Sequence, residues 1–123
     1  MKNRYYILNE DHGVMAEKNP VRWANWFISS DKSSDTRVAF DQIGDKKIST
    51  GFIGIDHNFG LKGPPLLFET MIFEGEVRLV AGRYSTWNEA ITGHREVVSK
   101  LASGLTREEL EAAKTIIEPL LKG

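Results

Sequence analysis

Between residues 36 and 84, four runs rich in β-branched and aromatic residues are divided by short stretches of Gly, Pro and polar residues. The dividers are Gly44-Asp45, residues 56–65, and Glu74-Gly75-Glu76. Such runs bounded by such breaks read as strands. Parallel neighbours need a crossover of about a dozen residues or more, usually helical, and none of these dividers provides one. The runs 36–43, 47–55, 66–73 and 77–84 therefore predict an antiparallel meander. A shorter run at 5–8, ended by Asn9-Glu10-Asp11-His12-Gly13, is expected as a further strand at one edge.

Helical signals lie on either side. Asn19-Pro20 pairs an N-cap residue with proline at the first helical position. Over 21–28, Val21, Ala24 and Ile28 share one face, and Trp23, Trp26 and Phe27 widen the apolar surface. A polar loop is expected over 29–35. Thr86-Trp87-Asn88-Glu89 matches a capping box. From it, Trp87, Ala90, Ile91, His94, Val97, Val98 and Leu101 form a stripe at helical spacing, which Gly104 closes. Thr106-Arg107-Glu108-Glu109 starts a second box, followed by Leu110, Ala113, Ile117 and Leu120, with Pro119 fraying the end. The expected fold is α+β: an antiparallel sheet of four to five strands with helices packed on one face and two amphipathic helices at the C-terminus. A chain of 123 residues fits a single domain, 1–123, with the helix at 106–121 as an added packing or oligomerisation element.

Charge and composition exclude several classes. The formal net charge is −1 and no run of basic residues exceeds Lys46-Lys47, so no nucleic-acid partner is expected. Without cysteine there is no disulfide, thiolate nucleophile or cysteine zinc site. No apolar run approaches the roughly 20 residues that span a bilayer, and residues 1–6 lack a signal-peptide core. Cytoplasmic placement without a membrane partner is the expectation.

The loop at 56–65 sets Asp56, His57, Asn58 and Phe59 in a row, where rigidly held loops tend to carry function. Asp56, His57 and His94, with Glu69 nearby in type, are the candidates for acid/base or metal chemistry, because imidazole carries protons near neutrality and a carboxylate can orient it. The spacing lacks any HxH or HxxxH pair, so no metal and no cofactor is expected. The competing reading makes Asp56 and Asn58 turn residues bonded to nearby backbone and His94 a packed histidine. Glu69 shares a strand face with Leu67, Met71 and Phe73, and needs a partner such as Arg83 or Arg78. Gly60-Leu61-Lys62-Gly63 lacks the order of a phosphate loop and is read as shaping a turn. Tyr84 and Trp87, at a strand-to-helix junction, either pack in the core or stack on a ligand. Asp56, His57, Asn58, Phe59, Glu69, Arg83, Tyr84 and Trp87 form the ligand-binding candidate set.

Several motifs occur together: Thr50-Gly-Phe-Ile-Gly-Ile-Asp-His-Asn-Phe-Gly, Gly63-Pro-Pro-Leu-Leu-Phe-Glu-Thr-Met-Ile-Phe, Arg83-Tyr-Ser-Thr-Trp-Asn-Glu-Ala and Gly93-His94. In this order, with the aromatic helix of Trp23 and Trp26-Phe27, they resemble a family of small proteins of tailed phages and prophages. The resemblance spans about residues 5 to 98. It departs at the longer 29–35 loop, at Glu74 where glycine is usual, and in the added segment after Gly104. It implies a phage or mobile-element origin and a role in the host cytoplasm. An intracellular binding protein acting on a host protein or small-molecule signal, such as a defence factor, is the leading expectation. A small hydrolase or metal-dependent enzyme using Asp56, His57 and His94 is the alternative, and a structural homo-oligomer the third. A homodimer is expected from the aromatic content and the extra helix.

Overall fold

A computed structural model describes residues 3–33, 35–58, 62–104 and Glu109. The meander is present as strands β3 (Arg37–Ile43), β4 (Lys46–Phe52), β5 (Phe68–Glu74) and β6 (Val77–Tyr84). They form one antiparallel sheet in the order β3-β4-β5-β6. Helix α1 (Pro20–Lys32) precedes the sheet and α2 (Trp87–Ala102) follows it. The class is α+β. The expected helix at 106–121 lies outside the described residues.

The N-terminal run does not join the sheet edge as expected. β1 (Tyr6–Leu8) pairs instead with β2 (Val14–Ala16), which the sequence reading missed, in a separate two-stranded hairpin. Its turn is built by Asn9, whose Oδ1 accepts from the N–H groups of Asp11 and Gly13. That is the local bonding for which Asn suits turns. An isolated bridge between Tyr5 and Ile55 ties the hairpin to the chain beyond β4.

Asn19 caps α1 as its sequence predicts, accepting from the N–H groups of Val21 and Arg22. The helix then runs through residues read as loop, to Lys32. Its buried side also differs from the expected one. Trp26 and Phe27 pack on Phe52, with ring centroids 5.8 and 6.4 Å apart, while Val21 and Ile28 are exposed. Three large rings bury more apolar area than the aliphatic stripe, so they set the helix's rotation. Trp23 also donates from Nε1 to the Tyr6 carbonyl. Gly54, at φ +70°, lies under Trp23 and Phe27, where an added Cβ would come within 2.9 Å of the indole nitrogen.

The sheet has two unlike faces because side chains alternate along each strand. Ile48, Phe52, Phe68 and Ile72 point to one side and are 0 to 2% exposed. There Ile48 and Ile72 meet Val97 and Leu101 of α2, while Phe52 and Phe68 meet Ala90. Each such side chain contributes about 1.5–3 kcal/mol by burial, against about 0.5–1.5 kcal/mol for a typical neutral hydrogen bond. Apolar packing therefore holds α2 down, and polar contacts fix where along the sheet it sits.

Candidate functional site

Among the fully buried positions of the sheet, two are polar. Thr50 and Thr70 are directly opposed across β4 and β5, are both 0% exposed, and their hydroxyls are 2.6 Å apart. His94 reaches down from α2 with Nδ1 2.7 Å from Thr50 Oγ1. Its Nε2 is 2.7 Å from Asp41 Oδ2 on β3. On the other side, the Tyr84 hydroxyl donates to Thr70 Oγ1 at 3.0 Å. One direction of donation satisfies every member: Tyr84 to Thr70, Thr70 to Thr50, Thr50 to Nδ1, and Nε2–H to the Asp41 carboxylate. In this pattern the ring hydrogen of His94 sits on Nε2.

The Tyr84 ring is seated between two glycines. A Cβ on Gly93 would fall 2.2 Å from the ring, and one on Gly82 2.3 Å from its hydroxyl. Glycine inside a helix costs about 1 kcal/mol relative to alanine, and here it admits the ring that ends the polar chain. Burial raises the Tyr84 phenol above its ordinary value of 10.0. The hydrogen bond to Thr70 offsets part of that, and the Glu96 carboxylate adds to it.

Asp41, His94 and Thr50 stand in the carboxylate–imidazole–hydroxyl order of a hydrolase triad. The hydroxyl lacks access, however. Thr50 is fully enclosed and His94 is 3% exposed, so no acyl carbon can approach Oγ1. The Asp41 end meets solvent, with its side chain 53% exposed. The arrangement orders protons and positions α2, and it offers no point of attack to a substrate.

The expected catalytic group is not assembled. Both ring nitrogens of His94 are engaged by Thr50 and Asp41, away from the 56–65 loop. Asp56 is buried, and its Oδ1 accepts from the N–H groups of Asn58 and Leu66, pinning the two ends of the loop together. Asn58 donates to the Pro64 carbonyl at 3.0 Å, and His57 Nδ1 lies 2.8 Å from the Ile55 carbonyl. Asp56 and Asn58 thus act as turn residues. Phe59, with Gly60 and Leu61, lies outside the described residues. Among the described residues, no group of three or more His, Asp or Glu side chains is placed to hold a metal ion.

The rest of the ligand set is divided between the two faces. Trp87 stacks on His12 at 3.7 Å and packs edge-on against Phe68, so its ring already has partners. Tyr84 belongs to the buried chain. Glu69 and Arg83 oppose each other on the face turned away from α2 and pair at 3.1 Å. Leu67, expected beside Glu69, is instead fully buried just before β5 begins.

That face, open among the described residues, is organised in rows fixed by register. Arg37, Gly51, Glu69 and Arg83 form one row; Phe40, Ser49, Met71 and Val80 a second; Gln42, Lys47, Phe73 and Arg78 a third. A bulge between Arg37 and Ala39 breaks the simple alternation of β3 and brings Arg37 to the same side as Phe40. The Arg37 guanidinium then lies 5.3 Å from the Phe40 ring centroid, and that of Arg78 lies 5.9 Å from Phe73. A groove of about 250 Å³ opens here, bounded by Asp31, Arg37, Ser49, Glu69, Met71 and Phe73.

Asp41, Thr50, Thr70 and Gly93 were missed as site residues. Two signals were present in the sequence: a threonine at a core-facing position on each of two neighbouring strands, and a glycine within the apolar stripe of a helix. Comparison with protein families, curated proteins and solved structures gives no match.

Proposed function

We propose that this chain is a non-catalytic binding protein of phage or prophage origin that engages a host component through the open face of its sheet. The origin rests on the motif resemblance, whose residues Thr50, Thr70, Tyr84 and His94 meet in the polar chain, with Gly93 making room for the Tyr84 ring. One observation carries the binding reading. The hydroxyls of Thr50 and Thr70 and the His94 ring are enclosed under α2, whereas the opposite face presents Phe40 at 44% exposure among charged side chains. Large apolar side chains exposed within a polar rim mark interaction sites more often than isolated surface residues do.

Phe40→Glu puts a carboxylate on the β3 edge of that face while leaving the core intact. The test is mass spectrometry under non-denaturing conditions on parent and variant purified from the same producing cells. The parent is expected to retain a ligand or partner mass that Phe40→Glu loses at unchanged melting temperature. Retention by both would remove the open face as the binding surface.

A further inference from the structure

We propose that the ligand of the open sheet face is single-stranded nucleic acid, its bases stacking on Phe40 and Phe73 and its phosphates meeting Arg37, Lys47, Arg78 and Arg83. This rests on the preceding reading of the face as the binding surface, and it names the chemistry of what binds.

The charge is local and assembled across strands. The whole chain has 16 basic and 17 acidic residues. On the three rows of the open face, four basic side chains stand against the single carboxylate of Glu69, and against two carboxylates when Asp31 at the groove is counted. Arg37 comes from β3, Lys47 from β4, and Arg78 and Arg83 from β6, so no run of basic residues announces the patch. Sheet pairing creates it. A positive face on a chain of net charge −1 attracts a polyanion locally, without the bulk charge that usually signals one.

The aromatic residues decide which polyanion fits. Phe40 and Phe73 are not packed in the core; each carries a guanidinium over its ring. Strand and residue spacings put them about 12 Å apart on a diagonal across β3, β4 and β5. A chain laid along that diagonal passes both rings, with Lys47 and Met71 between them. Phe40 is exposed and Phe73 half-buried; in single strands bases stack on such rings, here by moving the flexible guanidinium off each ring onto a phosphate. A duplex keeps its base faces hidden, so it would leave both rings unused. A second copy of this chain fits the face poorly, because an isologous contact would set the same basic rows against each other. An acidic peptide matches the charge but gives the two rings no flat partners.

The probe is a fluorescently labelled oligonucleotide of about twelve nucleotides, oligo-dT and oligo-U in turn, titrated with the full chain and read by anisotropy at about 50 mM salt. Binding is expected to weaken steeply as salt rises, with a log–log slope set by the phosphates contacted. Phe40→Ala and Phe73→Leu are each expected to weaken it roughly tenfold or more, since one stacked base is lost in each. Arg78→Ala should weaken it and flatten the salt slope. Duplex of the same length should bind more weakly and ignore Phe40→Ala.

Two results overturn the proposal: no binding of either oligonucleotide at about 100 µM protein, or binding that is indifferent to both ring substitutions. Polyglutamate competing as well as the oligonucleotide, with no effect of Phe40→Ala, would assign the face to an acidic protein partner instead. If a retained mass is lost in Phe40→Glu while oligonucleotides fail to bind, the nucleic-acid assignment falls and the face remains the binding surface. If Phe40→Glu loses nothing, both fall.

Discussion

Thr50 Oγ1 and His94 Nδ1 lie 2.7 Å apart, the link that joins the second strand of the meander to the helix covering it. His94 is 3% exposed, and its other nitrogen meets Asp41. His94→Ala leaves a cavity and strands the buried Thr50 hydroxyl, while the Asp41 carboxylate loses its partner but keeps solvent. It should cost about 1–3 kcal/mol by urea denaturation. His94→Gln keeps a polar tip and should cost less. An alanine variant as stable as the parent would contradict the structural role.

The two threonines should be coupled. Thr50→Val removes the hydroxyl that bridges His94 and Thr70, so both lose a partner, and about 1–3 kcal/mol is the expected cost. With Thr50 already valine, Thr70→Val removes a hydroxyl that has lost its partner on β4. The double variant should therefore lose less than the sum of the singles, which a double-mutant cycle measures. Strict additivity would mean that the hydroxyl pair at 2.6 Å carries no coupling.

Gly93→Ala sets helix propensity against packing. Alanine favours the helix by about 1 kcal/mol, but its Cβ would fall 2.2 Å from the Tyr84 ring. Overpacking of this kind costs about 1–3 kcal/mol or more, so thermal denaturation should show net destabilisation. In a Tyr84→Ala background the clash is gone, and Gly93→Ala should become neutral or stabilising. The reversal of sign identifies the ring as the reason for the glycine.

Alkaline pH should weaken the fold through Tyr84. Its phenol is held above 10.0 by burial, so the folded chain keeps this proton more tightly than the unfolded chain does. The resulting stability is fully present below pH 10 and declines as pH rises from there through the raised value. Tyr84→Phe should be less stable than the parent at neutral pH and should lack this part of the alkaline decline. Parallel stability–pH curves for the two proteins would refute the assignment.

The meander was legible because glycine and acidic breaks fall between apolar runs, and short breaks leave antiparallel neighbours as the simple solution. Both helix starts were legible from Asn19 and Thr86. β2 was not, because Val14–Ala16 is too short for a periodic signal. The site was less legible for a physical reason. Asp41, Thr50, Thr70 and His94 meet only once register and helix placement are known, and the two bulges that set register leave no composition signal. Arg37, Lys47, Arg78 and Arg83 gather on one face in the same way. Asp56 and His57 drew attention as adjacent functional-group residues, yet Asp56 is held by its own loop.

Ligand retention measured in His94→Gln beside Phe40→Glu, by mass spectrometry under non-denaturing conditions, tests most directly the separation of a structural interior from a binding surface. The expected pattern is a lower melting temperature with the retained mass intact for His94→Gln, and an unchanged melting temperature with the mass lost for Phe40→Glu. The reverse, with the mass lost at His94 and kept at Phe40, would make the buried chain the functional centre and contradict this account.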